Sequence, residues 1–265
     1  MLEYANNGLI GLLTPQANTT AEAELSILLP PGVGLLTSRL ISTKSSMNDR
    51  LIEYIDQIDK NCESFANAPI KAIVFACTGA SYFLEKSAEK TYFEEISKKR
   101  SYPIISATTA ISDALAVLSV KRIGIVSPYA DDLHEKAMSY WKANDFEIVA
   151  TKRLKQSKSH FHPIYSLESI FSETHFKSFE KAKVETIVIL GTGLPTLRTL
   201  LKLGGERIII SANLCLMWRV SLILKNETPS INNLQPWISG ETWADSFFLR
   251  TNYSKDLQAI SKAKI

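Results

Sequence analysis

Short apolar runs that end in small or polar residues recur along the chain, and they come in matched pairs. Ile10-Gly-Leu-Leu-Thr-Pro-Gln-Ala-Asn18 is echoed by Ile123-Gly-Ile-Val-Ser-Pro-Tyr-Ala-Asp131 at an offset of 113 residues, with Ile-Gly, Pro and Ala in common. Ile73-Val-Phe-Ala-Cys-Thr-Gly79 is echoed by Ile187-Val-Ile-Leu-Gly-Thr-Gly193 at an offset of 114, and Ile104-Ile-Ser-Ala-Thr108 by Ile209-Ile-Ser-Ala-Asn213 at 105. Three pairs in the same order, at nearly constant spacing, predict a duplicated lobe. Runs of this length, bounded by turn residues, read as strands buried on both faces of a parallel sheet.

Between these runs the apolar period lengthens. Met47, Leu51, Ile55, Ile58 and Cys62 form a helical stripe over Ser46 to Cys62, with Ser46 and Asp49 placed as its N-terminal cap. Thr19 to Leu28 reads as a helix for which Asn18 is a candidate cap, and Leu133 to Ala143 as another. Charge-rich Glu85 to Arg100 reads as a helix with a solvated face. Strands alternating with helices predict an α/β protein of two pseudo-symmetric lobes, each a parallel sheet flanked by helices. The lobe boundaries are placed at residues 1–113 plus 205–225 for the first lobe and 114–204 for the second, with 226–265 as a C-terminal extension. The extension is rich in Asn and Ser and carries Trp237, Trp243, Phe247 and Phe248, an aromatic cluster expected to pack on the body or on a second subunit. A homo-oligomer is expected.

Composition excludes several function classes. Of the 265 residues 45% are hydrophobic and 22% charged, which excludes a disordered tail and a disulfide-stapled miniprotein. A formal net charge of +3 gives no case for nucleic-acid binding, and the basic group Lys152, Arg153, Lys155 and Lys158 reads as an exposed loop. The longest apolar stretch, Ile208 to Leu224, is too short and too often interrupted for a membrane span. The chain begins Met-Leu-Glu-Tyr, without the basic start of a signal peptide, and holds an odd set of cysteines, Cys62, Cys77 and Cys215. Reduced thiols and a cytoplasmic location are expected.

In parallel α/β sheets ligands bind beyond the carboxyl ends of the strands. Those ends carry Thr14 to Asn18, Cys77 to Gly79, Thr108 and Thr109, Ser127 to Tyr129, Gly191 to Gly193, and Asn213. A pseudo-two-fold axis brings the two sets face to face around a cleft. Cys77 is the sharpest signal. It stands where a buried strand gives way to Thr78-Gly79-Ala80-Ser81, a helix start whose dipole and amides are expected to lower the thiol pKa. Such a thiolate can attack carbon or accept a proton, and the thiol can deliver one. Thr78-Gly79 and Thr192-Gly193 are paired turns whose amides and hydroxyls suit a small carboxylate. Tyr129 can donate to a carboxylate or enolate oxygen. Cys62, on a helix stripe, and Cys215, among Leu214, Leu216 and Trp218, read as core residues. His160-Phe-His162 lacks a third ligand and reads as surface, so no metal is expected. No Gly-x-Gly-x-x-Gly, Gly-x-x-x-x-Gly-Lys or Gly-x-Ser-x-Gly motif occurs.

These residues resemble the aspartate/glutamate racemase superfamily, and within it the branch of maleate cis–trans isomerase and arylmalonate decarboxylase. Thr14-Pro-Gln-Ala-Asn-Thr-Thr20 is similar to the isomerase segment around a substrate-binding asparagine, which implies that role for Asn18. Ala76-Cys-Thr-Gly-Ala-Ser81 resembles the first-cysteine motif, which implies Cys77 as nucleophile. Ser127-Pro-Tyr129 resembles the segment of the substrate-binding tyrosine, and Ile209 to Trp218 the segment after the last strand. The resemblance covers residues 8 to 224. It departs at the second lobe, where two-cysteine members carry a facing thiol and this chain has Gly191 beside Thr192. The decarboxylase also uses one cysteine, but in its second lobe. The isomerase's later pocket asparagine has no match near Tyr165 to Ser169.

The resemblance implies a cofactor-independent enzyme acting on a small carboxylate or dicarboxylate. The first expectation is maleate-type cis–trans isomerisation by addition of Cys77. The alternatives are decarboxylation of a malonate with Cys77 as proton donor, and a carboxylate-binding protein that has lost turnover. Because the repeat superposes Gly191 on Cys77, a side chain at 191 is expected to point into the cleft from the opposite lobe.

Overall fold

The computed structural model describes residues 2–84, 86–155, 163–169, 176, 179–180, 182, 184–204 and 207–253. The first sheet contains β1 (Gly8–Pro15), β2 (Val33–Leu40), β3 (Ile70–Phe75) and β4 (Ile104–Ser106), in the order β2-β1-β3-β4. The second contains β5 (Arg122–Ser127), β6 (Glu147–Arg153), β7 (Thr186–Ile189) and β8 (Ile208–Ser211), in the order β6-β5-β7-β8. Every pairing is parallel. The sequence pairs map onto β1 and β5, β3 and β7, β4 and β8. The edge strands β2 and β6, each only partly buried, have no sequence echo, because fewer of their positions are constrained by packing.

The helices are α1 (Ala21–Leu28), α2 (Met47–Asp56), α3 (Ile58–Cys62), α4 (Thr78–Ser81), α5 (Lys86–Arg100), α6 (Ala107–Val117), α7 (Asp131–Ala143), α8 (Leu197–Leu203), α9 (Ala212–Lys225), α10 (Ile231–Ile238) and α11 (Ala244–Arg250). The stripe from Ser46 to Cys62 is broken at Gln57 into α2 and α3, and Ser46 caps α2 by accepting from the Asp49 amide at 3.3 Å. The repeated Ile-Ile-Ser-Ala places a serine as N-cap in both lobes: Ser106 accepts from Thr109 N at 3.1 Å, and Ser211 from Leu214 N at 3.4 Å. In α5 the charged face is not wholly solvated, since Glu89 is buried and accepts from Thr108 Oγ1 at 2.6 Å and from the Tyr140 hydroxyl.

One boundary needs correction. Residues 205–225 do not belong to the first lobe as a unit. β8 pairs with β7 in the second sheet, as its kinship with β4 requires, and only α9 crosses to lie against β3, β4, α1 and α6. A four-residue strand must find ladder partners for its amides and carbonyls, which β7 supplies. α9 is buried nearly all round, from Ala212 to Leu222, and so fits between lobes and not on a surface. The extension folds back on the same chain. Trp237, Trp243, Phe247 and Phe248 are buried, α10 lies against α6, α9 and β8, and α11 against α1.

Lys152 and Arg153 end β6 and do not form a loop; Arg153 pairs with Asp131. Lys158, His160 and His162 lie outside the described residues. Among the described residues no group of three or more His, Cys, Asp or Glu is placed to hold a metal ion, and no helix is long and apolar enough to cross a membrane.

Candidate active site

Each sheet has one position where consecutive strands depart to opposite sides. β1 stands between β2 and β3, and β5 between β6 and β7. The crevices of parallel sheets open beyond the carboxyl ends of such strand pairs. Four segments therefore meet: those following β1, β3, β5 and β7. Together they line one cavity of about 80 Å³ with Asn18, Cys77, Thr78, Gly79, Tyr129, Gly191, Thr192 and Gly193. A single water needs roughly 10–15 Å³ of such space, so the cavity takes a molecule of a few heavy atoms. Thr108, Thr109 and Asn213, which follow the outer strands β4 and β8, are not in its wall.

Cys77 flanks the first residue of α4 and is 5% exposed. The sequence expectation of a depressed pKa is overturned: burial pushes the thiol up to about 12, against hydrogen bonds from the Ala80 and Gly79 amides that pull it down. A single helical turn brings too few aligned peptides to offset the desolvation of a thiolate. Cys62 and Cys215 are also buried and their thiols are also raised by burial, Cys62 to about 11.

The polar wall is largely pre-committed. Asn18 Oδ1 accepts from the Thr20 and Ala21 amides at 3.0 Å each, just ahead of α1, whose N-cap is Thr20 and not Asn18 as the sequence suggested, while its Nδ2 donates to Thr192 Oγ1 at 3.3 Å. Thr192 Oγ1 donates its one proton to the Ala76 carbonyl at 2.7 Å and therefore has none for a ligand. That differs from the sequence expectation of a free hydroxyl. Thr78 Oγ1 and the Tyr129 hydroxyl lie 2.5 Å apart, which leaves this pair one proton to offer. Burial, and then Tyr82 close by, raise the Tyr129 pKa well above 10, so the phenol is a neutral donor. Tyr82 braces that ring edge-on, with centroids 5.8 Å apart.

Thr192-Gly193 is not a helix start. It forms a turn closed by Leu194 N donating to Gly191 O at 3.1 Å, and α8 begins four residues beyond Gly193. Gly191 has φ +89°, and a Cβ there would stand 2.7 Å from Pro128 Cγ and 3.5 Å from the Tyr129 hydroxyl. A side chain at 191 would meet Pro128 before it reached open cleft, which corrects the expected facing position. Only glycine fits this backbone and this space.

One wall was not legible in the sequence. Met47, Arg50, Leu51 and Tyr54 of α2, Leu133 of α7, and Ile164 with Tyr165 complete the cavity. Met47 and Leu51 belong to the helical stripe that the sequence shows, which carries no mark of facing a cavity; the signal was Arg50 and Tyr54 on its flank. Arg50 is the one ionised side chain in the lining among the described residues, and its Nε donates to the Lys44 carbonyl. Arg39, nearby, is paired with Glu22 and donates to the Asn18 carbonyl at 2.8 Å. Tyr54 is raised to about 12, mostly by burial and next by the proximity of Cys77. The cavity thus combines neutral donors, an apolar side, one thiol and one cation.

Comparison with known proteins agrees with this architecture. The chain is 25% identical to a maleate isomerase of Pseudomonas putida over 157 residues, 55% of this chain and 63% of that protein, so the match spans less than two thirds of the relative. The solved maleate isomerase of Pseudomonas putida S16 superposes with a TM-score of 0.71 at 19% identity, covering 83% of this chain and 93% of that one. A solved arylmalonate decarboxylase superposes with a TM-score of 0.62 at 17% identity, covering 82% and 92%. The arylmalonate decarboxylase family profile matches residues 10–232, most of the chain. With its paired parallel sheets and strand-end cavity, the chain belongs to the arylmalonate decarboxylase family, in the branch of the Asp/Glu racemase superfamily that includes maleate isomerase.

Proposed function

We propose that this protein is a cofactor-independent isomerase that interconverts the cis and trans forms of a small unsaturated dicarboxylate through Cys77. The observation that carries the reading is the placement of one thiol in a small cavity whose other polar groups are neutral donors from both lobes, with a single guanidinium, Arg50, at its side. Neutral donors and a cation favour an anion, and the volume favours one of few atoms. In the reaction the Cys77 sulfur bonds to one alkene carbon as the π bond breaks. The displaced electron pair passes toward the adjacent carboxylate, where the Tyr129–Thr78 pair and the turn amides hold the developing enediolate. The thiol proton passes to the substrate. Rotation about the new single bond and elimination of the thiol release the trans isomer. The raised thiol pKa fits a group that enters the reaction protonated and gives its proton to the substrate as the sulfur adds.

A second reading has its own support. Met47, Leu51, Leu133 and Ile164 make one side of the cavity apolar. That side suits the substituent of a substituted malonate, which would lose carbon dioxide and take a proton from Cys77. Proton NMR of maleate and of methylmalonate in deuterated water, each incubated with the protein, separates the readings. Fumarate resonances with a Cys77 adduct by mass spectrometry support the isomerase. Loss of carbon dioxide with deuterium at the α-carbon supports the decarboxylase. Binding of either acid with no turnover leaves a carboxylate-binding protein.

A further inference from the structure

Glu24 stands outside the cavity and is buried between the lobes. It lies on α1 of the first lobe, yet all its hydrogen-bond partners come from the second-lobe side of the chain. Oε1 accepts from Leu197 N at 3.0 Å and from Thr196 N; Oε2 accepts from Thr196 Oγ1 at 3.0 Å and from Asn213 Nδ2 at 2.8 Å. Burial raises its pKa, and those same hydrogen bonds oppose the rise. Both carboxyl oxygens accept, a demand that no amide or hydroxyl meets at this position.

The bond to Asn213 continues toward the cavity. Asn213 Nδ2 also donates to the Thr192 carbonyl at 3.1 Å. A trans peptide is planar, so fixing the Thr192 carbonyl fixes the Gly193 N–H in the opposite direction, away from Asn213. Gly193 lines the cavity, and the backbone N–H groups of Thr192 and Gly193 have no acceptor among the described residues. Thr20 Oγ1 holds the next carbonyl, that of Gly193, at 2.8 Å. Buried amides without acceptors, held in place from behind, form a concave anion site.

We propose that Glu24 is a positioning residue: acting through Asn213 it fixes the Thr192–Gly193 peptide so that the Gly193 N–H receives a substrate carboxylate. The inference rests on the reading of the cavity as a carboxylate site. Glu24→Gln keeps the volume but sets an amide N–H₂ against one of the donors, and turning Asn213 to accommodate it removes the donor to Thr192. Asn213→Ala deletes that donor directly and leaves the Glu24 carboxylate in place.

The test is calorimetric binding of succinate, a saturated diacid that cannot isomerise, to the full chain, to Glu24→Gln, to Asn213→Ala and to the double variant. Thermal unfolding and iodoacetamide labelling of Cys77 are followed alongside. About a tenfold rise in Kd is expected in each single variant, as for loss of one hydrogen bond to a charged group, with no further rise in the double variant because both act through one carbonyl. Labelling of Cys77 by the uncharged reagent should stay within about twofold of the parent, since the thiol itself is not moved. A lowered Tm with unchanged Kd, or losses that multiply in the double variant, overturns the positioning role and leaves the carboxylate reading intact. No succinate binding by the parent chain overturns both. If Glu24→Gln does not fold, Glu24→Asp, which keeps the charge but shortens its reach to Asn213, takes its place in the single and double variants with the same expected and overturning outcomes.

Discussion

After β3 the chain enters a helical turn directly, with Cys77 as the flanking residue at φ −151° and its sulfur beside the cavity. After β7, the equivalent strand, it passes through Gly191 at φ +89° and closes a tight turn instead. The two strand ends share Thr-Gly at their next positions, yet one delivers a thiol and the other only backbone. Even the shared threonines differ: Thr78 pairs with the Tyr129 hydroxyl in the wall, while Thr192 spends its proton on the Ala76 carbonyl and ties the second lobe to the first. The two lobes thus bring similar crevices to one cavity, one presenting a thiol and the other backbone. An asymmetric pair of this kind can add and eliminate on one face, or protonate on one face. It lacks the facing thiol that two-base racemisation needs.

The largest effect expected of any single change lies on the half that carries the thiol. Cys77→Ala should reduce turnover of whatever acid the protein accepts by about 10²–10⁴-fold, the range for an essential acid–base group, with Tm nearly unchanged. Cys62→Ala, at the end of α3 and away from the cavity, should lower Tm and leave kcat alone. Equal activity in parent and Cys77→Ala would end the thiol mechanism.

The raised thiol of the free protein sharpens the comparison through pH. The iodoacetamide labelling rate of Cys77 should climb about tenfold per pH unit from pH 7 through pH 10, because thiolate is scarce throughout that range. A rate that levels off near pH 9 would show an ordinary thiol. The same shift has a stability consequence. Below pH 9 the thiol is protonated in both folded and unfolded chains, and its contribution is intact. Between pH 9 and about 12 the unfolded chain has lost the proton and the folded one keeps it, so stability falls as pH rises through that window. Cys77→Ala should flatten this part of the Tm profile.

On the half that presents backbone, Gly191→Cys should cost about 1–3 kcal/mol of stability, from the positive φ and the contact with Pro128, and should give no α-carbon exchange in deuterated water. A stable variant that racemises a small acid would mean that the two crevices face each other more symmetrically than this turn allows. Smaller still, Arg50→Gln should raise KM for a diacid about tenfold and change that for the corresponding monoacid less than twofold, consistent with loss of one charge-assisted contact. The smallest expected effect is none: incubation with EDTA should leave turnover of the accepted acid unchanged, and recovery on adding a metal would point to ligands at His160 and His162.

The sequence by itself determined the duplicated α/β plan, because buried parallel strands admit little besides β-branched and aliphatic residues, and three such pairs kept their order and spacing. It also singled out the segments that meet at the cavity, since strand ends carry the ligand in these sheets and Cys77, Tyr129 and the two Thr-Gly turns stand at them. Periodicity could not reveal that Met47, Arg50, Leu51 and Tyr54 face the same space, because the stripe of a helix looks alike whether it covers a core or a cavity. The destination of β8, the protonation of Cys77 and the exclusion of any side chain at 191 were decided only in three dimensions. Each depends on what lies across space: a ladder partner for β8, burial strong enough to outweigh a single helical turn for Cys77, and the Pro128 ring against Gly191. Residues distant in the chain set these outcomes, and no local pattern records them.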